Sequence, residues 1–248
     1  MPRNHPERFL RRKRMRTAAL PLLLALASCA QGQEKVPEHV IGLSSSLPLV
    51  WAEAGDIRGQ LSDTTGKHWA LQVMERQGRV IPLDTLAGAK GLPLPHDALL
   101  VLAQPRPLTP DENVALNAWV RAGGRLLLFA DPMLTAHSDF ALGDPRRPQD
   151  IAMLSPILRH WGLEMTFDPD QPAGESQDQV FGVSVPTNLS GRFVARPDAQ
   201  CRLAADGIAA DCAIGRGRAI IIADAAVFDG DDAGQAGAIT GLLGLLSR

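Results

Sequence analysis

Apolar runs alternate with helical patterns along the chain, which is typical of an α/β protein. Two runs, 98–103 and 125–130, are almost continuously apolar, as strands buried on both faces of a sheet should be. Between them, Thr109 can cap a helix, Pro110 suits its first position and Glu112 completes a capping box. This order predicts a mostly parallel sheet in which a helix connects neighbouring strands.

Shorter signals predict the remaining elements. The predicted strands are 39–43, 71–74, 80–83, 163–167, a short one around 179–185, β structure over 193–215, and 218–223. A helix is predicted around Ile157, Leu158 and Trp161, and a final one with Ile239, Leu242, Leu243 and Leu246 on one face. The segments 133–150 and, apart from its short strand, 168–191 are predicted to be loops. We predict a single α/β domain over 38–248.

Two cysteines flank a hairpin signal near the end of the chain. The dipeptide Asp206-Gly207 favours a two-residue type I′ turn. Pairing the residues symmetrically about this turn places Cys201 directly opposite Cys212, with a Cα separation of about 5.5 Å or less. It also sets Arg202 opposite an aspartate. We therefore predict a Cys201–Cys212 disulfide; the alternative is two buried free thiols.

The N-terminus has the features of a lipoprotein signal peptide. A dense basic run is followed by a short apolar stretch and by Leu-Ala-Ser-Cys29. The apolar stretch is too short to cross about 30 Å of hydrocarbon as a helix. Because its ending resembles a bacterial lipobox, we predict a signal peptide over 1–28, acylation of Cys29 and a lipidated tether over 29–37. The alternative is ordinary secretion with an incidental cysteine.

Removal of the signal peptide changes the charge balance. The whole chain has a formal net charge of −2, and residues 1–28 carry seven Lys or Arg and one Glu, so the mature protein is near −8. This acidic balance argues against a nucleic-acid partner and against electrostatic binding to anionic lipid. Acyl chains on Cys29 would hold the protein to a membrane instead. We expect a lipid anchor on the periplasmic side of the cell envelope, and Ala30 favours the outer membrane over the inner.

Two segments resemble GldG-type proteins, the extracytoplasmic auxiliary domains of gliding-motility and uncharacterised ABC transport systems. Residues 98–132 resemble the core of that family, and 215–224 resemble its closing strand. The resemblance implies a three-layer, mostly parallel sheet of the flavodoxin or class I glutamine amidotransferase type, here with an added C-terminal β-hairpin. It also implies a partner such as an ABC transporter permease or another envelope protein. The chain differs from the usual arrangement in having a lipobox instead of a membrane-spanning segment.

The resemblance also bears on catalysis. In class I amidotransferases, the strand that corresponds to 125–130 ends in a nucleophilic cysteine on a tight elbow. This chain has Ala130, Asp131 and Pro132 at those positions. Alanine cannot attack a carbonyl group, and a carboxylate beside a proline does not replace a thiolate. We expect the amidotransferase chemistry to be absent and the protein not to be an enzyme.

The sequence lacks the common catalytic and metal-binding patterns. The six histidines have no zinc-ligand spacing, and there is no Gly-x-Ser-x-Gly elbow and no nucleotide-binding glycine loop. An acidic stretch over 229–234 resembles a calcium loop, but its fifth position is Ala233, which has no oxygen ligand, and its twelfth is Thr240 rather than a glutamate. We expect no metal and no cofactor, and an acidic loop that caps the last helix.

One set of polar residues follows the predicted strands. Ligands of doubly wound sheets bind beyond the carboxyl ends of the strands. The candidate ligand-binding residues there are Ser44, Ser45, Gln104, Arg106, Asp131 and Asp224. They could bind a polar ligand, or the two aspartates could act as an acid/base pair. The alternative is that they are turn formers and helix caps.

Three functions remain open from the sequence. The leading hypothesis is a non-catalytic, lipid-anchored periplasmic binding or scaffolding domain, accessory to an ABC-type envelope transport system. The second is a periplasmic hydrolase or transferase that uses the strand-end carboxylates Asp131 and Asp224. The third is a structural envelope lipoprotein whose long loop, 133–150, docks a protein partner.

Overall fold

A computed structural model describes residues 1, 39–51, 67–230 and 233–247 of the chain. The predicted lipidation site Cys29, the tether over 29–37 and all of the signal peptide except Met1 lie outside the described residues. So do Asp231 and Asp232 of the acidic loop. Residues Val36–Arg248 form one compact unit. Within the part described, no helix combines the length and the apolar character that crossing a membrane requires.

A seven-stranded sheet lies at the centre of the described residues, in the order β2-β1-β3-β4-β11-β10-β9. The strands are β1 (Val40–Ser45), β2 (Arg79–Pro82), β3 (Leu99–Ala103), β4 (Arg125–Phe129), β5 (Leu163–Thr166), β6 (Ser176–Val180), β7 (Val183–Thr187), β8 (Arg192–Ala195), β9 (Cys201–Ala204), β10 (Ala209–Ile214) and β11 (Gly217–Ile222). The five strands from β2 to β11 are parallel, whereas β10 and β9 are antiparallel additions. The parallel strands have the flavodoxin-type order. The predicted fold class is confirmed.

In the part of the chain that the structure describes, four α-helices cover the two faces of the sheet. They are α1 (Trp69–Gln77), α2 (Pro110–Arg121), α3 (Ser155–His160) and α4 (Ala233–Leu246). In β3, Leu99 and Val101 belong to the core that contains α1 and α4, while Leu100 and Leu102 belong to the core that contains α2 and α3. This alternation produces three layers, because successive side chains of a strand point to opposite faces.

The best-specified helix of the sequence is present as predicted. The Thr109 hydroxyl accepts a hydrogen bond from the Glu112 N–H (3.2 Å), and the Glu112 carboxylate accepts one from the Thr109 N–H (2.9 Å). Pro110 occupies the first turn of α2. This reciprocal capping box starts the helix that carries the chain from β3 back to β4.

Two predicted elements were wrong. The run 71–74 is not a strand but part of α1, in which Ala70, Leu71, Val73 and Met74 are buried on one helical face. A short apolar run fits either structure, and here packing of this face against the core decides. The single strand around 179–185 is instead the hairpin β6–β7, since Phe181 and Gly182 have positive φ angles of 51° and 89° and reverse the chain.

The C-terminal hairpin has the predicted register. Asp206 and Gly207 have φ angles of 51° and 92°, as a type I′ turn requires. Cys201 pairs with Cys212 at a Cα separation of 4.0 Å, and the two form a disulfide. Arg202 lies opposite Asp211 and contacts it at 3.0 Å. The predicted disulfide is therefore confirmed.

Candidate functional site

Buried polar side chains follow one another along the carboxyl ends of the parallel strands. The buried polar residues of the described part of the chain are Ser46, Gln104, Asp131, Thr187, Ser190 and Asp224. Four of them, Ser46, Gln104, Asp131 and Asp224, directly follow or lie just beyond β1, β3, β4 and β11. We call these four residues the strand-end cluster.

Asp131 connects the ends of two neighbouring strands. Its Oδ1 accepts a hydrogen bond from the Met133 N–H (2.8 Å), which closes a turn after β4. Its Oδ2 accepts from the Ala225 N–H beyond β11 (3.1 Å). Both carboxylate oxygens therefore bind main-chain donors, one local and one distant.

Asp224 repeats this arrangement one strand further along the sheet. Its Oδ1 accepts from the Ala226 N–H (2.7 Å), two residues on, and its Oδ2 accepts from the Asn188 N–H (2.8 Å). The second bond attaches the end of β11 to the segment that follows β7. Aspartate suits both positions because its short side chain readily bonds main chain two residues on.

Gln104 joins β3 to β4 beyond the last ladder pair. Its Oε1 accepts from the Asp131 N–H (2.8 Å), and its Nε2 donates to the Asp131 carbonyl (3.0 Å). The side-chain amide thus extends the hydrogen-bond pattern of the β3–β4 pair by one more residue. Its Nε2 also donates to the Gln149 carbonyl (2.7 Å) of the long loop.

The serines at the end of β1 complete the row. The Ser45 hydroxyl donates to the Ala103 carbonyl (2.9 Å). The Ser46 hydroxyl donates to the Gln104 carbonyl and accepts from the Gln149 N–H (2.9 Å). The end of β1 is thereby attached both to β3 and to the long loop.

The structure brings together four of the six candidate residues predicted from the sequence: Ser45, Gln104, Asp131 and Asp224. Ser44 is half-buried at the end of β1. Arg106 is exposed, and its guanidinium donates to the Pro145 carbonyl (2.7 Å) in the long loop. Arg106 therefore contacts the loop rather than either aspartate in the described hydrogen bonds.

Burial dominates the electrostatics of the two aspartates. Asp131 is 0% and Asp224 is 1% exposed. Burial raises the pKa of Asp131 to about 7, although the N–H donors of Met133 and Ala225 lower it. Burial raises the pKa of Asp224 to about 8, and the charge of Asp131 raises it further, against two N–H donors. Near neutral pH the pair therefore retains protons that ordinary carboxyl groups have lost.

Sequence reasoning missed Ser46 and Gln149. Ser46 is the third member of a serine run, and its burial is not evident from its neighbours. Gln149 contributes only main-chain atoms to these contacts, so its side chain carries no signal that could have identified it.

The described residues offer little else for a cofactor or metal. No group of three or more His, Cys, Asp or Glu side chains among them is placed to hold a metal ion. A cavity of about 220 Å³ lies between α2 and α3. Its lining residues are Asn113, Val114, Asn117, Pro156, Ile157 and His160, none of which belongs to the strand-end cluster.

Comparison with known proteins gives one family match. Residues 62–243 match DUF4350, a domain of unknown function. No curated protein sequence matches the chain at a significant level.

Solved structures give weaker likenesses. The exo-β-1,4-mannosidase Op5Man5 from Opitutaceae bacterium strain TAV5 is 14% identical, with a TM-score of 0.45, over 83% of this chain and 33% of that chain. A putative ThuA-like protein from Bacteroides uniformis is 11% identical, with a TM-score of 0.45, over 86% of this chain and 91% of that one. The cytoplasmic protein STM3548 from Salmonella typhimurium is 12% identical, with a TM-score of 0.43, over 83% and 98%. The chain thus spans about a third of the mannosidase.

Proposed function

The chain belongs to the DUF4350 family, and from that premise we propose that it is a non-catalytic binding or scaffolding domain of the cell envelope. In this proposal, lipid on Cys29 anchors it on the periplasmic side, at the outer membrane rather than the inner. It serves as an accessory to an ABC-type transport system, with a permease or another envelope protein as its partner. Because the family has no known function, the proposal depends on the site and on the sequence.

The observation that carries the proposal is the use of the strand-end carboxylates. All four oxygens of Asp131 and Asp224 accept main-chain hydrogen bonds, and both side chains are almost fully buried. Carboxylates held in this way fasten loops and strand ends together. In addition, Ala130 and Pro132 flank Asp131 where the amidotransferases carry their nucleophile. These features favour a structural use of the sheet edge over a catalytic one.

The surface beside this edge supports a protein partner. Met133, Leu142, Ile151 and Met153 are large apolar side chains that lie exposed in or beside the long loop. Exposed apolar groups mark interaction sites when they form a contiguous patch, and we propose that these four do so. Leu142, 82% exposed, is the most exposed of the four.

Site-specific photo-crosslinking in intact cells tests the proposal. A photoreactive residue at Leu142 should crosslink to an ABC permease or another integral envelope protein. The same residue at Val114, which is 70% exposed but lies on α2, is the matched control and should not. Crosslinks that are equal from both positions, or that involve no envelope protein, would contradict the proposal.

The anchor has its own test. A Cys29→Ser variant that carries a cleavable secretory signal peptide in place of residues 1–28 should leave the membrane fraction and appear in the soluble periplasmic fraction, since the acyl chains are lost. Continued sedimentation of this variant with membranes would argue against lipid anchoring. Separating inner from outer membranes of cells with the wild-type protein then tests its location, which we expect to be the outer membrane.

A second candidate function has one observation in its favour. With pKa values of about 7 and about 8, Asp131 and Asp224 titrate in the range that suits the acid and the base of a hydrolase or transferase. If the protein turned over a substrate, and Asp131→Asn abolished this turnover without unfolding the protein, the catalytic candidate would replace the leading one.

A further inference from the structure

The long loop over 133–150, which we call the strap, places the main-chain N–H and C=O of one residue in the strand-end cluster. The Gln149 N–H donates to the Ser46 hydroxyl (2.9 Å), and the Gln149 carbonyl accepts from Gln104 Nε2 (2.7 Å). Both contacts use main-chain atoms of one residue. Two side chains from neighbouring strand ends therefore recognise an N–H and a C=O together, as proteins do when they bind an extended peptide.

The position of this contact in the sheet is informative. In the sheet, β2 lies on one side of β1, whereas β3 and then β4 lie on the other side. The order in which strands are added therefore reverses between β1 and β3. Doubly wound sheets bind their ligands at this reversal, beyond the carboxyl ends of the strands. Ser46 and Gln104 follow these two strands. The strap thus occupies the place where a ligand of this fold is expected.

The strap is attached to the rest of the protein near both of its ends. Near its start, the Thr135 hydroxyl donates to the Asp229 carboxylate (2.9 Å) and Leu134 packs against the core. Near its end, besides Gln149, the Pro145 carbonyl accepts from the exposed Arg106 guanidinium. Much of its remaining bonding is internal: Arg147 pairs with Asp150 at 3.1 Å and donates to the Phe140 carbonyl at 2.8 Å. The part around Gln149 can therefore leave the crevice while the start of the strap stays attached.

We propose that the crevice between the ends of β1 and β3 is a binding site for an extended peptide segment. The strap fills this site within the chain, and a segment of a partner protein fills it when the strap lifts. The inference rests on the proposed function as a protein-binding domain and names the chemistry of the partner. Pro148 is buried before Gln149, so the partner segment carries an apolar residue, followed by a residue whose N–H and C=O are free to bond.

A peptide copied from the strap provides the probe. It is acetyl-Pro-Arg-Arg-Pro-Gln-Asp-Ile-Ala-amide, residues 145–152, with a fluorescent label, and fluorescence anisotropy measures its binding to the full chain. A Gln149→Pro variant loses the N–H that donates to Ser46, whereas the matched control Gln149→Ala keeps it. We expect the peptide to bind Gln149→Pro about tenfold more tightly than the control, which is the change that loss of one buried hydrogen bond produces.

Two further measurements locate the bound peptide. Adding Ser46→Ala to Gln149→Pro should abolish the gain, and a peptide with proline in place of its glutamine should not bind. If Gln149→Pro does not fold, Arg106→Ala loosens the strap without touching the crevice and should give a smaller gain. Equal binding to Gln149→Pro and Gln149→Ala, or binding of the proline-containing peptide, would overturn the inference. If Leu142 crosslinks to an envelope protein but no peptide binds, the peptide-binding inference is wrong and the proposed function stands. If the peptide binds but Leu142 gives no such crosslink, only the proposed transport partner is wrong.

Discussion

The free energy of unfolding should fall as the pH rises from about 5 to about 8, because two buried aspartates hold protons in the folded protein. Burial raises the pKa of Asp131 to about 7 and of Asp224 to about 8, whereas both groups titrate near about 4 in the unfolded chain. Between these values the folded state binds more protons than the unfolded state. The stabilisation is complete below the unfolded pKa and is lost as the pH rises through the folded pKa.

The magnitude follows from the number of protons. Each group changes the free energy of unfolding by at most about 1.4 kcal/mol per pH unit, so the pair contributes at most about 2.8 kcal/mol per unit. The two groups interact, and the slope therefore belongs to the pair rather than to either residue. Since a domain has about 5–15 kcal/mol of stability in total, such a slope is readily measured.

Urea unfolding of the oxidised protein, followed by tryptophan fluorescence at several pH values, provides the assay. Trp119 and Trp161 are buried and report on the core. Asp224→Asn should reduce the slope by about half, since one of the two titrating groups is removed. This variant should also be less stable at low pH, because its amide nitrogen faces a main-chain donor.

Asp211→Asn is the matched control. Burial raises the pKa of Asp211, but hydrogen bonds from Arg218 and Arg202 outweigh it, so the pKa lies below its usual value and Asp211 stays ionised over this range. Replacing Asp211 should lower the free energy of unfolding at every pH in this range without changing its dependence on pH. A stability that is flat or rises between about pH 5 and 8, or an Asp224→Asn slope equal to that of the wild type, would refute the reasoning about burial.

Three further predictions concern stability and are checked by urea or thermal unfolding. Replacing both Cys201 and Cys212 by alanine should cost about 2–3 kcal/mol, because the short loop between them is no longer closed in the unfolded chain; an unchanged melting temperature would contradict this. Thr109→Ala should cost about 1 kcal/mol through loss of the cap of α2, and a neutral result would show that the capping box is dispensable. Gly237→Ala should stabilise α4 by about 0.5–1 kcal/mol, since a Cβ there meets open space. Gly217→Ala should destabilise instead, because its Cβ would meet main-chain carbonyl oxygens; similar effects at both glycines would contradict the packing described here.

The elements that the sequence predicted correctly have signals that lie close together in the chain. The capping box of α2, the apolar runs of β3 and β4, and the turn at Asp206-Gly207 each involve only a few neighbouring residues. The turn even set the pairing of Cys201 with Cys212. Where a local signal fitted two structures, as at 71–74, the prediction failed, and packing of α1 against the sheet decided the outcome.

The candidate site divides in the same way. That Gln104, Asp131 and Asp224 stand at strand ends follows from the sequence alone, since parallel strands end at one edge of the sheet. Only the tertiary structure decided their partners: Asp131 bonds to Ala225, 94 residues away, and Ser46 to Gln149, 103 residues away. It also decided their burial, and burial raises the pKa of both aspartates. Neighbouring residues determine turns, caps and strand ends, but hydrogen bonds between distant residues and the exclusion of water depend on the packing of the whole chain.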